Sequence, residues 1–279
     1  MTLTLAYSPC PNDTFVFAAL ANGLLPDAPR VDVRLADIDE LNAAAARGAY
    51  DLVKVSYGAI PYLADRYRIL RTGGALGRAC GPLLVARPDK SPPNFADFAR
   101  KRIAIPGERT TAFALLQLAL GRRPHTIVMR FDEIVAAVAA GKADGGLIIH
   151  ESRFTYRETG LIAIADLGEW WENLTLLPIP LGAILVRDGV PDDAAREAAK
   201  AIRASLAFAR ANDASVMPYV RAHSAEMNDD VMRAHIALYV NEFTDDLGKT
   251  GVEAAHAFFA RAREARIVPR SAEPRFLEA

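Results

Sequence analysis

The sequence predicts an α/β protein of two lobes with a cleft between them and a helical C-terminal tail, and three observations carry the prediction. Short apolar segments alternate with helix-length ones, the order expected of parallel βαβ units. The alternating series runs twice, on either side of the breaker-rich stretch Pro88-Asp89-Lys90-Ser91-Pro92-Pro93. From Asp192 onward only helical spacing remains.

Element by element, Thr2 to Tyr7 reads as a strand bounded by Ser8-Pro9, and Asn12 or Asp13 caps a helix to about Ala21. Val31 to Leu35 is a strand, Asp37 or Asp39 caps a helix to about Arg47 that Gly48 stops, and Leu52 to Ser56 is an apolar strand. Gly81 to Arg87 is a further strand, and the domain crossing falls in the breaker cluster behind it. Beyond it Arg102 to Pro106 is a strand, Thr111 to Leu120 a helix, Thr126 to Arg130 a strand, Phe131 to Ala140 a helix and Gly146 to Ile149 a strand. Pro178 to Val186 is a loop feeding a strand that returns to the first lobe. The tail contributes helices over Ala195 to Ala211, Asp229 to Tyr239 and Val252 to Ala265, with Pro218, Gly248 and Gly251 as breaks. The expected division is 1–88 with 186–279 as a large lobe and 89–185 as a small one.

Composition narrows the function. The 279 residues allow one large or two modest domains, and the hydrophobic fraction of 51% gives ample core. With 33 basic against 34 acidic side chains there is no basic excess for nucleic acid. Two cysteines, Cys10 and Cys80, form neither a disulfide framework nor a clustered zinc motif, so no metal site is expected. No apolar run approaches a membrane span, and no Lys or Arg precedes Arg30 as an export signal requires, so the expectation is an unexported, cytoplasmic protein without an obligatory protein partner.

Familiar cofactor motifs fail. Gly141-Lys142 lacks the earlier glycine of a phosphate loop, Gly73 to Gly77 misses the dinucleotide spacing, and Lys54 to Gly58 lacks the first glycine of a nucleophile elbow. His150 is the most suggestive single residue, because it follows an apolar strand and so falls at the carboxyl edge of a sheet, where open α/β sheets bind ligands. An imidazole there suits general acid/base work, and equally a hydrogen bond to a neighbouring loop. Thr110 and Thr111 join a strand to a helix and could either receive a carboxylate at the positive helix end or simply cap it. Ser56 ends the first lobe's third strand, facing the cleft or merely closing a turn. His125, His223, His235 and His256 fall on element ends or helix surfaces; Cys10 reads as a packed turn thiol, or as a nucleophile only with a base nearby, and Trp170-Trp171 as packing rather than a cleft wall.

Four blocks in order, Ser8-Pro9-Cys10-Pro11-Asn12-Asp13-Thr14-Phe15, Lys54-Val55-Ser56-Tyr57-Gly58-Ala59, Pro106-Gly107 with Thr110-Thr111, and Ile149-His150-Glu151, resemble the 1,4-dihydroxy-6-naphthoate synthases of the futalosine route to menaquinone. The resemblance implies a periplasmic-binding-protein-like type II fold working as an enzyme without a cofactor. It implies a small carboxylate-bearing substrate, cyclic dehypoxanthine futalosine, a proton acceptor at His150, and substrate contacts at Ser56 with Tyr57 and Gly58, at Thr110 and Thr111, and at Asn42. Roles for Asp13 and Glu151 stay open. The rival readings are the related chorismate dehydratase and a non-catalytic binding protein for small carboxylates, since fold does not fix function.

Overall fold

A computed structural model describes residues 2–89, 94–225, 228–269 and 273–278. In chain order the elements are β1 (Leu3–Tyr7), α1 (Pro11–Ala21), β2 (Val31–Leu35), α2 (Ile38–Ala46), β3 (Leu52–Ser56), β4 (Tyr67–Ile69), β5 (Ala75–Gly77) and β6 (Leu83–Ala86). They continue with β7 (Arg102–Ile105), α3 (Thr111–Leu120), β8 (His125–Val128), α4 (Ile134–Ala139), β9 (Gly145–Ile148), α5 (Ser152–Thr155), β10 (Ile162–Asp166) and α6 (Leu167–Thr175). The chain then forms β11 (Ile179–Arg187), α7 (Asp192–Ala211), α8 (Asp213–His223), α9 (Asp229–Tyr239), α10 (Glu242–Asp245), α11 (Gly248–Glu264) and β12 (Arg275–Phe276).

Two sheets result. The first runs β12-β4-β11-β3-β1-β2, with β5 also on β11, and the second runs β10-β6-β9-β7-β8. Each is built the same way. The leading strand sits in the centre with parallel neighbours on both sides, β1 between β2 and β3, and β7 between β8 and β9. The third strand then pairs antiparallel with one whose chain has crossed from the other lobe, β11 on β3 and β6 on β9. Two βαβ units with the same strand order bring the carboxyl ends of β1 and β3 to face those of β7 and β9.

Sheet membership moves the expected lobe boundaries. β6, expected from sequence in the first lobe, pairs in the second sheet, so the chain crosses before Leu83; β11 belongs entirely to the first sheet, so the return precedes Ile179. Strand pairing decides this, and composition does not reveal it. The crossing expected in the breaker cluster lies partly outside the described residues, at 90–93.

Local chemistry explains the helices that frame the cleft. α1 begins on Pro11, whose missing N–H costs nothing at a helix start, and buries every residue from Pro11 to Leu20 between the sheet and α7, α8 and α9. α3 is capped by Thr110, whose hydroxyl accepts from the Phe113 N–H, and ends at Gly121 in the left-handed region. Two predicted breaks are absorbed: α8 runs through Pro218, and α11 opens at Gly248 and carries Gly251 against Leu247. The sequence pattern does not signal β4, β5, β10, β12 and α6, of which the strands are short or half-exposed.

Candidate active site

The four loops at the facing strand ends enclose a cavity of roughly 90 Å³. From the first lobe come Ser8, Asn12 and Asp13 after β1, and Lys54 and Ser56 on β3; from the second come Thr110, Thr111 and Ala112 after β7, and Ile149 and His150 after β9. Tyr239 and His235 of α9 close a further wall.

His150 is two residues past the end of β9, with φ at 55°, a conformation unusual for a side chain with a Cβ. Its Nδ1 lies 3.4 Å from the Cys10 Sγ at the start of α1, and Phe131 packs edge-on against its ring at 4.9 Å. Desolvation is the main influence on its titration. The Asp13 carboxylate opposes it and the Lys54 ammonium adds to it, leaving the imidazole pKa lowered to about 4. The His150 imidazole is therefore neutral at ordinary pH. Glu151, next in the chain, is buried, and the donor atoms of Cys10, His150 and Glu151 lie within 4.8 Å of one another. Those three could hold a cation, against the sequence expectation of no metal, but burial pushes the Cys10 thiol well up and disfavours the thiolate such a site needs.

Beneath His150 lies a buried ion pair that the sequence motifs do not assign. Lys54 Nζ donates to Asp13 Oδ1 at 2.6 Å and to the Gly73 carbonyl at 3.3 Å, while Ser8 Oγ donates to Asp13 Oδ2 at 2.7 Å and Asn12 Nδ2 to Oδ1 at 2.8 Å. Both charged side chains are almost fully enclosed. A lysine in the middle of the apolar run Leu52–Ser56 is the signal that points to it, since a charge on a buried strand has to find a partner.

Ser56 lines the cavity as predicted. Its N–H donates to Asn42 Oδ1 at 2.9 Å, and its hydroxyl accepts from Asn42 Nδ2 at 3.2 Å, which leaves its own O–H to give. Asn42 therefore orients Ser56 from α2 and does not itself line the cavity. Tyr57 points the other way, because successive strand side chains alternate faces; its ring packs on Phe259 and it is not a wall of the cavity. Gly58 is a joint between lobes: its N–H donates to Thr111 Oγ1 at 3.2 Å, and a Cβ there would lie 2.8 Å from the Thr110 carbonyl oxygen.

Thr110 does cap, while Thr111 ties the helix start to β11. Thr110 Oγ1 donates to the Gly107 carbonyl and accepts from Phe113, and Thr111 Oγ1 donates to the Leu181 carbonyl at 2.7 Å. What they leave for a ligand is the positive helix start itself, the N–H groups of Thr111 and Ala112, with no acidic residue in the first turn. Gly107, at φ 151°, brings this turn so close to Asp39 that a Cβ would meet its carboxylate at 2.2 Å. Arg109 lies over the Tyr62 ring, outside the cavity lining. His235, expected on a helix surface, is buried at 1% exposure in the cavity wall; the helical spacing is as expected, but the face that α9 buries is set by its packing on α1 and β5.

Two similar lobes on either side of a cavity define a periplasmic-binding-protein-like fold. The alkanesulfonate-binding protein of Xanthomonas axonopodis pv. citri, bound to MOPS, superposes with a TM-score of 0.71 at 15% identity, covering 97% of this chain and 95% of that one, which is a likeness of fold. Particular relatives are much nearer in sequence. This chain is 48% identical over 273 residues to the 1,4-dihydroxy-6-naphtoate synthase of Streptomyces coelicolor, covering 96% of this chain and 95% of the relative. It is 44% identical over 276 residues to that of Thermus thermophilus, covering 99% of each. Residues 3–264 match the menaquinone biosynthesis family, and the chain belongs to it as an enzyme of that pathway.

Proposed function

We propose that this enzyme is a lyase that needs no cofactor and converts cyclic dehypoxanthine futalosine to 1,4-dihydroxy-6-naphthoate and dihydroxyacetone, with His150 as general base. The observation that carries the reading is that a neutral imidazole, Ser56 and the α3 N-terminus line one cavity. A free base and an anion-binding helix start are what proton abstraction from a carboxylate-bearing substrate needs.

With Nδ1 facing Cys10, Nε2 is the nitrogen left for substrate, and it accepts a proton only in the tautomer that carries its hydrogen on Nδ1. In the proposed step that nitrogen removes a proton from a substrate hydroxyl or from carbon beside the ring ketone. The adjoining C–C bond then breaks, and formation of the aromatic naphthoate draws the reaction forward. Ser56 donates to a substrate oxygen, and the Thr111 and Ala112 N–H groups receive the carboxylate. Closure of the lobes over the bound substrate would exclude water from this step. Among the described residues no helix is long and apolar enough to cross a membrane, which suits the cytoplasmic location we propose.

Purified protein incubated with cyclic dehypoxanthine futalosine should yield 1,4-dihydroxy-6-naphthoate by mass spectrometry, and the His150→Ala variant should not. Folded wild-type protein that forms no naphthoate would refute the assignment. Turnover of chorismate would then select the dehydratase, and tight carboxylate binding without turnover the binding protein.

A further inference from the structure

Among the described residues, His235 is a buried side chain with both polar atoms unpaired. It is 1% exposed, and neither Nδ1 nor Nε2 has a hydrogen-bond partner. Rings surround it: Tyr239 at 4.6 Å between centroids, Phe154 at 6.2 Å and His150 at 6.3 Å. Burial, with His150 and Lys54 nearby, pushes its pKa well below the ordinary histidine value, so the ring is uncharged. A neutral imidazole carries one donor and one acceptor, and leaving both unmade inside a protein is costly when phenylalanine or leucine would fill the same space at no such cost. Yet the ring forms part of the cavity wall.

We propose that His235 is a substrate-binding residue whose two ring nitrogens pair with a hydroxyl and a neighbouring hydroxyl or carbonyl oxygen on the part of the substrate that His150 attacks. The polarity of the cavity sorts the ligand's ends. Its carboxylate belongs at the α3 N-terminus, where N–H groups and the helix dipole favour an anion. An uncharged ring offering both a donor and an acceptor suits neutral hydroxy or hydroxy-ketone groups, which offer the same pair in return. The separation of the two imidazoles lets one small molecule touch both. His150 comes from the second lobe and His235 from α9 in the tail, so the substrate would bridge two parts of the chain far apart in sequence. The inference rests on the proposed lyase reading, because that reading supplies a substrate with such oxygens beside the proton to be removed.

The test compares wild type, His235→Phe and His235→Asn with cyclic dehypoxanthine futalosine, measuring kcat and KM separately and the melting temperature of each protein without ligand. His235→Phe should raise KM about tenfold, the size expected for losing hydrogen bonds to neutral groups. It should melt no lower than wild type, because an unpaired buried polar ring has been replaced by an apolar one. His235→Asn keeps a donor and an acceptor, and its KM should fall between the two. A merely structural histidine would show the reverse pattern, with lowered melting temperatures and unchanged KM in folded variants, and that result overturns the proposal. If wild type itself forms no naphthoate, the lyase reading falls first and this inference with it; if wild type turns over and both variants match its KM, this inference alone is wrong.

Discussion

The helix after the leading strand opens differently in the two lobes. In the first, α1 begins Pro11-Asn12-Asp13, and its positive end is met by the buried Asp13 carboxylate, which Lys54 in turn neutralises at 2.6 Å. In the second, the equivalent α3 begins Thr111-Ala112-Phe113, capped by a neutral hydroxyl and carrying no charge in its first turn. The third strands differ in the same sense: β3 ends in Ser56, held by Asn42, whereas β9 ends just before His150, held against Cys10 of the opposite lobe. One topology thus yields a first lobe whose helix start carries a buried carboxylate and a second lobe whose helix start carries none. The strand order places four loops around a cleft, and the charge at each helix start is what tells the two lobes apart.

The largest effect should come from the second lobe. His150→Ala should lower kcat by ~10² to 10⁴, the usual contribution of a positioned general base, measured by naphthoate formation. A loss below tenfold would mean the base lies elsewhere, and the contrast between the lobes would lose its catalytic half. Next is the ion pair of the first lobe. Lys54→Met leaves Asp13 buried without its counter-ion and should cost about 3–5 kcal/mol in denaturant unfolding, with part of that loss recovered in the Asp13→Leu/Lys54→Met double variant. An unchanged stability would show the pair to be dispensable support.

The same pair bears on pH. Folded protein keeps His150 neutral down to about 4, whereas in the unfolded chain it takes up a proton near its ordinary value of 6.5. The associated stability is therefore fully present above about 6.5 and is lost as pH falls toward about 4. The acid limb of kcat/KM should fall near pH 4 in wild type and move to higher pH in Lys54→Met, which removes a cation that opposes protonation. A limb at 6.5 in both would place the base in solvent. Smaller again, Ser56→Ala should raise KM about tenfold with little change in kcat, as expected for one lost hydrogen bond to bound substrate. The smallest effect, about 1 kcal/mol off the melting stability, belongs to Thr110→Ala, which removes a cap but no charge.

Much of this architecture is legible in the chain itself. The period of apolar segments marks both βαβ series, and the breaks after β3, β7 and β9 locate Ser56, Thr110-Thr111 and His150 at strand ends. Tyr57 is the residue that motif reading misplaces, because a motif keeps neighbours together while a strand points them apart. Asn42, expected at the substrate, reaches Ser56 instead, since a contact one residue removed looks the same in sequence. His235 falls in no motif, and the block that contains Lys54 gives it no role. Their value depends on which face of α9 and of β3 is covered, and that is set by packing partners far away in the chain.

What the sequence alone determined is the alternation of strands and helices, the punctuation between them and the chemistry on offer at each strand end, because those follow from local spacing and turn residues. Which lobe owns β6 and β11, which helix start stays uncompensated and which histidines meet across the cavity were decided only by the tertiary structure. Pairing between distant strands and burial of one face over another are non-local, and a residue's charge, partner and exposure take their meaning from them.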